Sequence, residues 1–387
     1  MKPGAVSRFF YCNERVDSLR LPYRFRAVLS CILAVSLCGA SLGLRGRRDA
    51  AAAAALRGAE AFRYSGFARE AFPALIGSFL RAGKYKPFLS AATPAFPIPE
   101  LGAGYVPQGM CYSQALGCFA LAYYHPDGRP SLLALVDAES GAFVKSVYLL
   151  KPGGMPYTGH AGGAAAWGGH LWVTSEGRAW RLAAEDLRAA RDGGTVRFRD
   201  SFRSASRGGF AFVAEGMLWL GDSYAHERSL PLPAGRLDTG SGNRAWCVGY
   251  PLRESSPTGT AGYPAAVLSI QDCVQGACVA STGEFLVSVS FTGAAPSWLW
   301  VYPTLRGILE QPPAREVTVE KRRCPLWVVD SAMARAKQML APMSEGVCAY
   351  GGKIYTWYES AALRYRDRAE MYADTVFALG EGEVLGG

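Results

Sequence analysis

The chain is poor in charge and almost without histidine: charged residues make up 19% of its 387 residues, and only four are histidine. None of the four has the spacing of a metal-binding pair. No nucleophile elbow, phosphate loop, dinucleotide fingerprint or zinc-protease motif occurs, so the common motif-borne chemistries are excluded. The ten cysteines show no repeated CxxC pair, which argues against a zinc ribbon or a disulfide framework. Seven of them lie beyond the first fifty residues, an odd number that cannot pair completely. Beyond residue 100 the only helical pattern is the short Ala183–Arg191, which excludes a helical bundle. Half of the chain is apolar, which excludes intrinsic disorder. The 45 glycines, 46 aromatics and 23 prolines suit many short strands and turns.

The net charge of +9 suggests nucleic acid until it is located. Residues 1–50 hold nine Lys/Arg against three Asp/Glu, leaving 32 against 29 elsewhere. The body is near neutral, and no basic footprint for nucleic acid remains on it. The basic excess flanks an uncharged stretch of 18 residues, Ala27–Leu44, with six basic residues before it and Arg45, Arg47 and Arg48 after it. This reads as an export signal, cleaved near Ala40 after the small residues Cys38-Gly39-Ala40, or as an uncleaved membrane anchor. Either version places the body outside the cytoplasm, secreted or held to the membrane by its N-terminus.

Four segments follow from the pattern. Residues 1–48 form the signal or anchor, and 49–86 a helical segment interrupted at Gly66 or Pro73. Residues 87–100 are read as an extended proline-rich connector, and 101–387 as the main domain. Within that domain one unit recurs five times: QGMCYSQALGCFALAYY from 108, GGAAAWGGHLWVTSE from 162, GFAFVAEGMLWLGDSY from 209, QGACVASTGEFLVSVSF from 275 and EGVCAYGGKIYTWYE from 345. Each runs glycine, small or apolar residues, a turn, then an alternating apolar strand, which is a β-hairpin. Gly163–Glu176 aligns without a gap on Gly346–Glu359. The unit starts are 54, 47, 66 and 70 residues apart, as expected for four-stranded blades with insertions. Five blades need about 285 residues, and 101–387 supplies 287. The expected fold is therefore all-β, a five-bladed β-propeller. A sixth, degenerate blade around Trp246 or Val317 and a β-sandwich remain as alternatives.

In such a ring the starts of the inner strands and the ends of the next strands share one face. Gln108, His160, Gln275 and Glu345 occupy the first position; Tyr124, Glu176, Asp222, Ser290 and Glu359 the second. Gln108, His160, Glu176, Asp222, Gln275, Glu345 and Glu359 are thus the candidate ligand-binding residues at one channel mouth. A ring of carboxylates, amides and a histidine can bind a cation or hold an acid and a base, though solvated loop ends are polar in any case. Cys111, Cys278 and Cys348 share a deeper repeat position where segment two has Ala165, so a small apolar side chain is expected there.

The repeat style over most of 101–387 resembles exported bacterial propellers of the gluconolactonase-like and NHL-repeat class. That resemblance implies a metal ligand at Glu345, in Ser344-Glu345-Gly346, with Asp222 as the one aspartate placed for a second ligand and a divalent cation such as calcium as cofactor. The functional expectation is an exported module binding a small molecule, glycan or peptide at the mouth. The alternative is a metal-assisted hydrolase or lactonase using the mouth carboxylates.

Overall fold

The computed structural model describes residues 82–223 and 242–386. The export segment and most of the expected helical segment lie outside them. Among the described residues no helix is long and apolar enough to cross a membrane.

The strands form five sheets, each opening on one of the five repeated hairpins. Blade one runs through Val106–Ser113, Cys118–Tyr124, Leu132–Asp137 and Phe143–Leu150. Blade two runs through Gly163–Trp167, His170–Ser175, Arg178–Ala183 and Asp200–Arg203. Blade three uses Phe210–Ala214, Met217–Gly221, Ala245–Pro251 and Ala266–Ile270. Blade four uses Val274–Val279, Glu284–Val289, Ser297–Thr304 and Ala336–Leu340. Blade five uses Ser344–Tyr350, Lys353–Tyr358 and Thr375–Gly380, and takes its fourth strand, Ala92–Pro97, from the other end of the chain.

The middle strands read as almost continuous apolar runs, such as CFALAYY at 118–124, because each sheet is covered on both faces by its neighbours. Five hydrophobic clusters follow, one per blade interface: four with five, five with one, one with two, two with three, and three with four. The inner strands adjoin in the same order around the ring. Closure is therefore complete, and no sheet edge is left at the seam.

Two expectations change here. The proline-rich stretch is not an extended connector: Ala82–Ala91 is helical with Pro87 inside it, and Ala92–Pro97 pairs with Thr375–Gly380. Pro94 and Pro97 fit because this is the outermost strand of its blade, where a missing N–H interrupts no further ladder. The register slips between Pro94 and Phe96, as an irregular edge strand permits. Among the described residues the wide gaps around Trp246 and Val317 hold no sixth blade. Trp246 belongs to blade three, and Arg315–Val319 and Arg322–Val329 form a hairpin added in parallel to that blade's outer edge.

The repeat glycine has a steric cause. A Cβ on Gly346 would lie 2.5 Å from the Met110 backbone nitrogen, and one on Gly109 2.5 Å from that of Ala164. One on Gly163 would meet the Ala211 nitrogen at 2.7 Å, and one on Gly276 the Glu345 carbonyl oxygen at 2.6 Å. Inner strands thus meet backbone to backbone, and five blades leave no room for a side chain at that level.

Candidate functional site

Three inner strands carry the same irregularity. Blade one has one extra residue between Pro107 and Met110, blade four between Val274 and Gly276, and blade five between Ser344 and Val347. These β-bulges coincide with Gln108-Gly109, Gln275-Gly276 and Glu345-Gly346. A bulge re-aims the side chain it carries. The glycine settles against the next blade while the preceding amide or carboxyl is released from the regular ladder. Blades five, one and four are neighbours, so the three polar residues share one arc of the channel mouth.

Glu345 is buried, with 4% of its surface exposed. Its strand is anchored just before it, where Ser344 Oγ lies 2.6 Å from Ser288 Oγ and Ser344 N donates to Ser297 Oγ at 3.1 Å. The Glu345 carboxyl itself has no hydrogen-bond partner among the described residues. Burial, and then the charge of Glu359, hold it well above the usual carboxylate range.

Glu359 stands at the end of the adjoining strand, with its backbone N–H donating to Met343 O at 2.9 Å. Burial pushes its carboxyl up to about 7, against opposing effects from Arg364, Gln108 and Tyr365. Gln108 Nε2 donates to Glu359 Oε1 at 3.3 Å, and Tyr365 also hydrogen-bonds Glu359. Gln108 is held by its own backbone, whose carbonyl accepts from Trp357 Nε1 at 2.9 Å. Two adjacent buried carboxyls cannot both ionise cheaply, so at neutral pH the pair retains a proton.

The array extends outward through aromatic rings. The hydroxyls of Tyr365 and Tyr124 are 3.1 Å apart, and Tyr124 stacks on His160 with ring centroids 4.4 Å apart. His160 reaches solvent yet is hemmed in by protein, and desolvation lowers its pKa, which keeps the ring neutral at pH 7. Tyr124 can donate to Tyr365, leaving Tyr365 to donate to Glu359. Gln108, His160, Glu345 and Glu359 are therefore joined through direct contacts or shared neighbours. Gln275 stands half-buried on the adjoining bulge. Tyr365 was missed by sequence reasoning because it lies outside the repeated unit, in the 359–374 loop. The length of that loop was the available signal.

The other two candidates do different work. Glu176 occupies a Glu176-Gly177 turn with φ of 54° and is exposed. It borders a small cleft of about 130 Å³ with Lys151, Tyr157, Ser175, Arg178 and Trp180. None of Gln108, Glu345 and Glu359 lines that cleft. Asp222 accepts from Ser206 Oγ at 3.1 Å and from the Arg207 backbone N–H, so it fixes the loop between blades two and three. Among the described residues no three His, Cys, Asp or Glu side chains gather in a way that could hold a metal ion. Glu345 and Asp222 are thus not joined by a third such side chain, and the Asp222 carboxylate is engaged by Ser206 and Arg207.

Cys111, Cys278 and Cys348 are free, buried thiols beneath the mouth. Burial raises all three, Cys348 to about 12, which leaves them unreactive core residues.

No protein-family model matches the chain, and no curated protein matches it, so the gluconolactonase-like and NHL resemblance has no support at the level of sequence families. The similar solved structures are β-propeller proteins. Myxococcus xanthus glutaminyl cyclase is 12% identical, with a TM-score of 0.39 over 75% of this chain and 94% of that one. A luciferin-regenerating enzyme is 10% identical, with a TM-score of 0.36 over 76% and 98%. The Dos1 propeller is 12% identical, with a TM-score of 0.29 over 73% and 56%. At these values the likeness is one of fold only, and the chain's five-bladed β-propeller architecture rests on its own strand pairing.

Proposed function

We propose that this propeller binds a small molecule, or the end of a glycan or peptide, at the channel mouth formed by Gln108, Tyr124, His160, Glu345, Glu359 and Tyr365. The observation that carries the reading is the Glu345 carboxyl, buried beside Glu359 with no hydrogen-bond partner among the described residues. A carboxyl with no protein partner is open to a polar group of a ligand, and a ligand that pairs with it stabilises the fold. The test is a thermal-shift screen of small metabolites, oligosaccharides and short peptides against the wild type and Glu345→Gln. A ligand that raises the Tm of the wild type and not of the variant supports the reading. A screen in which every stabilising compound acts equally on both proteins contradicts it.

A second reading, hydrolysis by acid–base catalysis, is favoured by one observation: the Glu359 carboxyl is pushed up to about 7, where it can both give and take a proton at neutral pH. Turnover of a lactone or ester panel that disappears in Glu359→Gln would select it. We further propose that the propeller works outside the cytoplasm, on the strength of Ala27–Leu44 and its basic flanks. Alkaline phosphatase fused after residue 100 is expected to be active, and an inactive fusion contradicts export.

A further inference from the structure

We infer that the cleft between blades one and two is a second site, independent of the mouth, which takes the carboxylate group of a small organic acid between Lys151 and Arg178.

The first ground is the cavity itself. Its volume is about 130 Å³, and three pieces of chain enclose it. Lys151 follows the last strand of blade one, residues 157–159 lead toward blade two, and residues 175–180 turn from the second strand of that blade into its third. The wall is set before any ligand arrives. Tyr157, Trp180 and Phe198 pack ring against ring, with centroids 5.7, 5.1 and 5.4 Å apart. Gly159 lets the Tyr157 hydroxyl in, since a Cβ there would lie 2.4 Å from it.

The second ground is positive charge without a partner. Lys151 is exposed, and its ammonium makes no hydrogen bond or ion pair with a described residue. The Arg178 guanidinium lies over the Trp180 ring at 5.3 Å, and Nη1 donates to Ser201 Oγ at 2.9 Å. Those contacts fix the fork and leave its other N–H groups without an acceptor among the described residues. Glu176 is the one carboxylate among the lining residues; it is exposed and pairs with neither cation.

The third ground is a surplus of donors at the floor. The hydroxyls of Tyr157 and Ser175, both buried, are 2.7 Å apart. Their bond uses one of two hydroxyl hydrogens, and the other has no acceptor among the described residues. The Gly159 backbone N–H donates to no described residue either. A cleft that gathers an ammonium, a guanidinium and spare N–H and O–H groups calls for an acceptor with negative charge.

Charge decides which acceptor. Lys151 and Arg178 against Glu176 leave the cleft positive by one unit at neutral pH. A carboxylate balances that charge and matches the planar guanidinium fork, whereas a sulfate dianion overshoots it and is repelled by Glu176. The small volume admits the head group and leaves the rest of the acid in solvent. Binding moves no proton and breaks no bond.

The test is titration calorimetry on the full chain near pH 7 in Tris chloride, with ionic strength held constant so that screening is the same for every probe. The probes are sodium acetate, sodium propionate, sodium sulfate, propylamine hydrochloride and glucose. The expected result is binding of acetate and propionate alone, weakened about tenfold or more by Lys151→Gln and by Arg178→Gln and tightened about threefold by Glu176→Gln. Lys151 is exposed, so Lys151→Gln keeps the test open if Arg178→Gln does not fold. Sulfate bound by the wild type as tightly as acetate, or binding of propylamine or glucose that is lost in Lys151→Gln, would overturn the carboxylate class. Acetate binding untouched by Lys151→Gln and Glu176→Gln, or no binding of either acid, would overturn the site.

Discussion

Blades four, five and one share an inner-strand glycine with blade two and diverge from blades two and three in what precedes the tightest backbone contact. On the first side the preceding residue is Gln275, Glu345 or Gln108, and each strand bulges there. On the other side the chain reads Gly162-Gly163 and Gly209-Phe210, and the strands pair without interruption. The outer ends differ in the same sense. Glu176 ends its hairpin in a tight turn and stays in solvent, whereas its repeat partner Glu359 opens the 359–374 loop and is drawn under Tyr365. A shared scaffold thus acquires the mouth site on one arc only, through one inserted residue per strand and one long loop.

The largest expected effect falls on the polar arc, because blade five also holds the seam. Removing residues 1–97 strips Ala92–Pro97 from Thr375–Gly380 and withdraws Phe96 and Phe88 from the clusters on either side of blade five. The cooperative thermal transition is expected to disappear. A full transition in the shortened chain would contradict closure by this strand.

The glycines test what both arcs share. Gly346→Ala and Gly163→Ala each drive a Cβ into neighbouring backbone and are expected to cost about 3 kcal/mol or more in chemical denaturation. Gly382→Ala, which meets nothing within 4 Å, should stay within about 0.5 kcal/mol. A Gly163→Ala variant as stable as Gly382→Ala would show that the tight ring is confined to the polar arc.

Asp222→Ala tests whether the unbulged arc is structural. It strands the Ser206 hydroxyl and the Arg207 N–H, at an expected cost of about 2 kcal/mol, with the titration of Glu359 unchanged.

The smallest effect is also the most specific. Glu359 has a folded-state pKa raised from 4.5 to about 7, so the native state binds the proton more tightly than the unfolded chain. Its contribution to stability is full below pH 4.5 and is lost as pH rises toward 7. Asp374, buried and raised from 3.8 to about 6, acts with the same sign over a lower window. Glu359→Gln should therefore leave the Tm nearly unchanged at pH 4.5 and raise it by a few degrees at pH 8, about 2–4 °C for each kcal/mol recovered. Equal shifts at both pH values would contradict the raised pKa.

The hairpin repeat was legible because steric demand writes the same glycine and the same small residue, Cys111, Ala165, Cys278 or Cys348, into successive blades. The final strand, Thr375–Gly380, is a short continuous apolar run, Val376–Leu379, as a strand covered on both faces requires. The closing strand was not legible, since Ala92–Pro97 contains two prolines and only an edge position tolerates them. The polar dipeptides Gln108-Gly109, Gln275-Gly276 and Glu345-Gly346 were visible, and the bulge they share was not, because register depends on the partner strand. Repeat position alone could not separate Glu359 from Glu176. What separates them is the loop after each, whose packing over the mouth is a tertiary property.

The shared proton of Glu345 and Glu359 is tested most directly by a pH titration of 13C-labelled glutamate side-chain carboxyls followed by NMR, in the wild type and in Glu359→Gln. The expected result is one carboxyl titrating near pH 7 whose signal vanishes in the variant, and a second, Glu345, that stays protonated to higher pH. If every glutamate titrates near pH 4.5, the buried carboxyl pair does not exist as described, and the mouth loses the feature that makes it a site.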